Sequence, residues 1–165
     1  MRRIIGLVLM LAAVVRAEEL PENLFPNPEF DEPGNGWSPM SGTERVETMA
    51  MSGEWVYRAR GTVYQFLAGT PTSIRPSTDY TLVVRARSFG SGASLVIVQF
   101  YRDAQGKARE GTYVVNGLPL GNEFCEYFLP FRTSSEQPSH FVFYKTRDLP
   151  DDSGVEVASA GLYEG

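Results

Sequence analysis

The chain has 165 residues, with 20 acidic residues against 15 lysines and arginines, a formal net charge of −5, one cysteine and one histidine. An acidic chain lacks the positive footprint that nucleic acid or an anionic membrane surface requires. A single cysteine excludes an intrachain disulfide, so stability must come from packing. We expect Cys125 to be a small buried hydrophobe.

The first 17 residues have the pattern of a secretory signal peptide. A basic start, an apolar run over residues 4–15 and small side chains at Val15 and Ala17 follow one another. The run is shorter than the roughly 20 residues that a membrane span needs. We therefore expect cleavage after residue 17 and a secreted or periplasmic protein that does not insert in the membrane. A short acidic lead, 18–22, would precede a single domain, 23–165.

The rest of the chain consists of short apolar runs separated by turn residues. Its 15 glycines and 11 prolines interrupt the chain too frequently for long helices. In chain order, the sequence predicts an extended segment at 23–31 and strands at 45–51, 54–60, 62–67, 80–88, 94–102, 112–115, 124–132, 139–146 and 155–163. These short, regularly spaced strands predict an all-β sandwich.

Alternation along the strands separates two faces. The residues predicted to face the core are Tyr80, Leu82, Val84, Ala86, Cys125, Tyr127, Leu129 and Phe131. In strand 94–102 both faces are partly apolar, and we predict that Phe100 faces the core. The residues predicted on the other, solvent-facing side of their strands are Arg85, Arg87, Gln99, Tyr101, Glu126 and Phe128.

Four motifs in sequence order carry a family resemblance. Asn23-Leu24-Phe25-Pro26-Asn27-Pro28-Glu29-Phe30-Asp31 with Gly36-Trp37 resembles the Asn-Leu-x-x-Asn-x-x-Phe-Glu and Gly-Trp opening of cellulose- and xylan-binding carbohydrate-binding modules. Segments 74–87, 100–106 and 123–131 resemble that family's next three motifs, with Phe124 in place of a Trp. The resemblance implies a galactose-binding-like jelly-roll β-sandwich of two antiparallel sheets and a glycan or polysaccharide as partner.

A glycan-binding sheet combines aromatic rings, which stack on sugar rings, with polar side chains that bind hydroxyls. Candidates with this mixture are Arg85, Arg87, Gln99, Tyr101, Glu126, Phe128, Trp55 and Tyr57. The alternative is that arginines pair with glutamates across strands while aromatics cover a solvated sheet.

The resemblance also bears on metal binding. Asp31 matches an acidic residue near the first strand, and a structural calcium ion could bind there, but Ala158-Ser159 stands where the family usually has two acids. Calcium needs six to eight oxygens. We expect any calcium binding to be weak.

The composition argues against unaided catalysis. His140 is the only imidazole and Cys125 is expected to be buried, so the sequence supports neither a Ser/His/Asp nor a Cys/His arrangement, and we predict no catalytic residues. The sequence thus favours an exported, non-catalytic carbohydrate-binding module. Two alternatives stay open: a structural or adhesion module that binds a cell-surface protein, and a small glycan-active hydrolase.

Overall fold

The computed structural model describes residues 21–48 and 54–165. Their strands are β1 (Trp37–Pro39), β2 (Thr43–Glu47), β3 (Trp55–Arg60), β4 (Gln65–Gly69), β5 (Asp79–Phe89), β6 (Ser94–Arg102), β7 (Ala108–Pro119), β8 (Cys125–Arg132), β9 (Pro138–Lys145) and β10 (Gly154–Glu164). The predicted signal peptide and the end of the predicted strand 45–51 lie outside the described residues. Within the described part of the chain, no helix is long and apolar enough to cross a membrane.

The strands form two five-stranded antiparallel sheets, which confirms the predicted jelly-roll sandwich. Sheet I has the order β1-β4-β9-β6-β7, and sheet II has the order β2-β3-β10-β5-β8. Strand β7 is much longer than predicted because hydrogen bonds to β6 hold its polar residues in the ladder despite three register shifts. Strand β1 was not predicted, since three residues carry no readable alternation.

The core fills the space between the sheets. Tyr80, Leu82, Val84 and Ala86 of β5 are buried in it, as their alternation predicted. The prediction for Cys125 is wrong, because this thiol is exposed. Cys125 is the first residue of β8, an edge strand that no further strand covers.

The N-terminal segment runs beside β10 where β3 no longer pairs with it. The Leu24 amide donates to the Leu162 carbonyl at 2.8 Å, and the Ala160 amide donates to the Pro28 carbonyl at 3.0 Å. Two prolines prevent a regular strand there. The segment nevertheless supplies hydrogen bonds that the β10 backbone would otherwise lack.

Aromatic side chains of this segment close one end of the core. Trp37 packs between Phe25 and Phe30, with ring centroids 4.5 Å and 4.9 Å away, and its Nε1 donates to the Asn27 carbonyl at 2.8 Å. A Cβ at Gly69 would collide with the Trp37 ring, so only glycine fits there. The segment 23–37, which carries the first motif of the family resemblance, therefore closes one end of the core with packed aromatic rings.

Candidate functional site

The outer face of sheet II, which we call the arginine face, is defined by Arg58, Arg85, Arg87 and Glu156. Glu156 is buried at its centre and accepts hydrogen bonds from Arg58 Nε at 2.6 Å and from Arg87 Nε at 2.7 Å. Arg85 reaches both carboxylate oxygens of Glu54, at 3.0 Å and 3.1 Å. The three arginines of this face thus pair with glutamates from other segments of the chain, Glu156 of β10 and Glu54 just before β3.

Phenylalanine rings cover these guanidinium groups. The Phe124 ring lies 4.5 Å from Arg87 and 5.3 Å from Arg85. Phe89 lies 5.7 Å from Arg58. Cation–π contacts and ion pairs therefore engage Arg85 and Arg87 within the protein itself. Their geometry is that of cross-strand pairing, the alternative that the sequence left open.

Glu126 and Phe128 line a shallow depression on the same sheet. Phe128 is 64% exposed, and Tyr163 lies on the opposite side of a floor that includes Val83. The depression encloses about 790 Å³. It brings two of the sequence-predicted candidates together, with one ring and one carboxylate.

Acidic side chains gather at the edge of this face. The pKa of Glu29 is raised above its usual value by burial, and next by the charge of Glu54. Asp31 and Glu126 raise it further, whereas Arg85 lowers it. Burial and the neighbouring carboxylates therefore favour the protonated form of Glu29.

Two sequence-predicted candidates are buried and cannot reach a ligand at the surface. Gln99 is 0% exposed, so its predicted placement on the solvent side is wrong. Tyr57, a candidate ring for stacking on a sugar, is 1% exposed. In β6, Leu95 and Ile97 share the inner side with Gln99 because they pack in the main core. Both faces of β6 are apolar, and alternation alone could not choose between them.

Trp55 and Tyr101 are half-buried. The indole of Trp55 packs on the core and is covered by the Arg45 guanidinium at 3.7 Å. Tyr101 lies on sheet I and contacts Gly111 closely. Neither lies beside Arg85 or Arg87, so the structure does not bring all eight candidates into one site.

The outer face of sheet I carries a second apolar cluster that the sequence analysis missed. Val98 and Val142 face each other across β6 and β9 and are buried under surrounding side chains. We call this surface the tyrosine face and define it by Tyr64, Phe100, Tyr113, His140 and Tyr144. Phe100, predicted to face the main core, lies here instead and is half-buried.

Three tyrosines of this face lie close together around Glu110. The Tyr64 and Tyr144 ring centroids are 5.1 Å apart, and the Tyr113 hydroxyl lies 3.4 Å from Glu110 Oε2. Glu110 raises the pKa of Tyr113, and burial followed by Glu110, Tyr64 and Tyr113 raises the pKa of Tyr144. Tyr113 is 51% exposed, so it offers an uncovered ring beside a carboxylate.

Basic groups border the tyrosine face at both ends. The Arg147 guanidinium lies 3.9 Å from the Tyr64 ring centroid. At the other end, the His140 ring stacks on Phe100 with centroids 5.0 Å apart, and burial and the charge of Arg102 lower its pKa. Rings, hydroxyls, a carboxylate and guanidinium groups thus lie along one open sheet surface.

The backbone near Asp31 is held by an arginine. Arg45 donates through Nε and Nη2 to the Phe30 carbonyl, at 2.9 Å and 2.6 Å, and through Nη2 to the Asp31 carbonyl at 2.8 Å. Across residues 21–48 and 54–165, no three acidic, Cys or His side chains group so that they could hold a metal ion. Calcium at Asp31 stays a prediction, at a place where a guanidinium already binds two carbonyl oxygens.

Solved structures with this fold are found, although no protein-family model matches the chain and no curated protein is detectably similar in sequence. The CBM22-1 xylan-binding domain of Paenibacillus barcinonensis Xyn10C has a TM-score of 0.64 at 13% identity, over 90% of this chain and 97% of that domain. The C-terminal family 22 carbohydrate-binding module of Clostridium thermocellum Xyn10B has a TM-score of 0.64 at 14% identity, over 88% and 96%. A family 16 carbohydrate-binding module has a TM-score of 0.58 at 15% identity, over 86% and 100%.

These similarities show that the chain has the jelly-roll fold of carbohydrate-binding modules. At such low sequence identity the similarities establish the fold alone, because function depends on the side chains of this chain.

Proposed function

We propose that this protein binds a glycan chain along the tyrosine face and performs no chemistry on it. The observation that carries the proposal is the grouping of Tyr64, Tyr113 and Tyr144 around Glu110 on an open sheet surface. Tyrosine rings stack on the apolar faces of sugars, while hydroxyls and a carboxylate bind sugar hydroxyls.

The shape of the surface favours a chain rather than a single sugar. His140 and Tyr144 are four residues apart on β9, which corresponds to about 13 Å along a strand. Aromatic side chains extend over that distance, with the exposed ring of Tyr113 on the neighbouring strand β7, which suits an extended ligand. The xylan-binding domain named above, with which this chain shares its fold, supports a polysaccharide as the ligand class.

The arginine face supports glycan binding less well. Arg85 and Arg87 already bind Glu54 and Glu156, and a sugar hydroxyl would have to compete with those charged partners. Phe128 and Glu126 are free of such pairing among the described residues. They form the alternative site that the binding experiment must test.

We infer that binding takes place outside the cytoplasm, on the strength of the signal-like pattern over residues 1–17. N-terminal sequencing of exported protein would find Glu18 first. Retention of Met1 in exported protein would contradict this part of the proposal.

The decisive experiment is a glycan array followed by calorimetric titration of the best ligand. Binding that weakens in Tyr113→Ala and is unchanged in Phe128→Ala supports the tyrosine face. The reverse result moves the site to the depression on sheet II. Binding to no glycan overturns the proposal and favours a structural or adhesion module.

A hydrolase is the second candidate, because the pKa of Glu29 is raised by burial and by the charge of Glu54. Glycoside hydrolysis uses two carboxyl groups, one of which acts as an acid with a raised pKa. Release of reducing ends from a bound glycan, abolished in Glu29→Gln, would replace the binding-only proposal.

A further inference from the structure

The ten arginines of residues 21–48 and 54–165 fall into two groups according to their partners. Seven form ion pairs with carboxylates: Arg58, Arg60, Arg75, Arg85, Arg87, Arg109 and Arg132. Within the described chain, no carboxylate lies within ion-pair distance of Arg45, Arg102 or Arg147. Since acidic residues outnumber basic ones in this chain, an unpaired arginine calls for another explanation.

Arg45 has an internal function, because it binds the carbonyls of Phe30 and Asp31 and covers Trp55. The other two arginines without a carboxylate partner, Arg102 and Arg147, are exposed. Arg102 donates through Nη1 to the Gly106 carbonyl at 2.9 Å. Both border the tyrosine face: Arg147 lies over Tyr64, and Arg102 is close enough to His140 to lower its pKa.

The two guanidinium groups therefore lie at opposite ends of the aromatic surface, with Glu110 between them. Glu110 suits neutral hydroxyls and repels anions. A planar guanidinium suits a planar carboxylate, to which it can donate two parallel hydrogen bonds. Contact with Tyr64 keeps the Arg147 guanidinium at the surface while leaving its edge open.

From this arrangement we propose that the ligand is an acidic glycan whose uronic acid groups bind Arg147 and Arg102. The neutral sugar rings between those groups lie over the tyrosines and Glu110. This inference rests on the proposed function, and it adds the chemical class of the polysaccharide.

The test uses pairs of polysaccharides that differ only in charge. Glucuronoxylan, polygalacturonate and alginate are each compared with the same polymer after reduction of its carboxyl groups to alcohols. We expect the protein to bind at least one acidic polymer at least about tenfold more tightly than its reduced form, which is about 1.4 kcal/mol. That preference should shrink as salt is added, because exposed charges are screened.

Substitutions of Arg147 and Arg102 test whether these two arginines cause the preference for acidic polymers. Arg147→Gln and Arg102→Gln should each reduce the preference for the acidic form, measured as the ratio of the affinities for the acidic and the reduced polymer, about threefold or more. Arg132→Gln is the matched control, since Arg132 is exposed and pairs with Asp79 on sheet II. Melting curves on every variant show that the fold is retained.

The outcomes separate the two proposals. Equal binding of acidic and reduced polymers, or tighter binding of the reduced ones, overturns the acidic ligand but leaves glycan binding intact. Binding of no polymer in either form overturns both. A preference for acid that persists in the Arg147→Gln and Arg102→Gln double variant also overturns the assignment to these arginines.

Discussion

The ring of Tyr64 lies 5.1 Å from the ring of Tyr144 and is tilted by 48° to it, so the two rings form a corner on the outside of sheet I. Tyr144 is largely buried in that corner, whereas Arg147 covers part of Tyr64. The ring that stays most open to a ligand is Tyr113 on the neighbouring part of the face. We therefore predict that Tyr113 contributes to ligand binding and that Tyr144 contributes to the stability of the fold.

Replacing Tyr113 with alanine should weaken glycan binding by about 1–3 kcal/mol, because an exposed stacking ring is lost. The free energy of unfolding should change by less than about 0.5 kcal/mol. Calorimetric titration and urea unfolding measure the two quantities. Phe128→Ala is the control, since this ring is also exposed but lies on sheet II.

Replacing Glu156 with glutamine should lower the free energy of unfolding by about 3 kcal/mol, because it removes a buried charge from between two guanidinium groups. Asp79→Asn removes an exposed carboxylate that pairs with Arg132 and should cost less than about 1 kcal/mol. Urea unfolding of both variants gives the comparison. Similar small losses in both would show that the buried pair contributes little.

Replacing Arg45 with methionine should destabilise the protein by about 2 kcal/mol, because two carbonyl groups lose charged hydrogen-bond donors. Chelator should shift the melting temperature of the wild-type protein very little. Thermal melts with calcium and with chelator test both statements. A large stabilisation by calcium would mean that oxygens near Asp31 bind the ion strongly in spite of Arg45.

Lys145 gives a pH-dependent prediction. Its ammonium is buried and donates to the Gly61 carbonyl at 2.5 Å and the Thr146 carbonyl at 3.1 Å. Burial lowers its pKa below the usual 10.5, and the nearby Asp148 raises it only in part. Between the pKa of Lys145 in the folded chain and its pKa in the unfolded chain, the unfolded chain therefore binds more protons than the folded one. The contribution of Lys145 to the free energy of unfolding therefore increases as the pH rises from the lower to the higher of these pKa values.

Lys145→Met should lack that rise. The free energy of unfolding of the wild type minus that of the variant should therefore increase as the pH rises towards 10.5. Urea unfolding at several alkaline pH values measures the difference, and subtracting the two proteins cancels the titration of the tyrosines. Lys107→Met, at an exposed lysine, should show no such trend. A constant difference for Lys145→Met would contradict the lowered pKa.

The sequence by itself determined the fold class and much of the core. Alternation in β5 correctly separated Tyr80, Leu82, Val84 and Ala86 from the arginines, because one face of that strand is polar and only the other can be buried. Turn residues and short apolar runs likewise predicted a sandwich, since both are local properties of the chain.

Only the tertiary structure decided which face of β6 is inside and what surrounds each candidate residue. Both faces of β6 are apolar, so alternation could not choose between them. Packing against Phe143 on one side and Val142 on the other places Gln99 on the side of the core between the sheets and Phe100 on the outer face of sheet I. Ion pairs such as Arg58 with Glu156 join residues 98 positions apart. The tyrosine face combines Tyr64, the residue before β4, with side chains of β6, β7 and β9. These side chains meet because sheet pairing brings distant segments of the chain together, and no local pattern records that pairing.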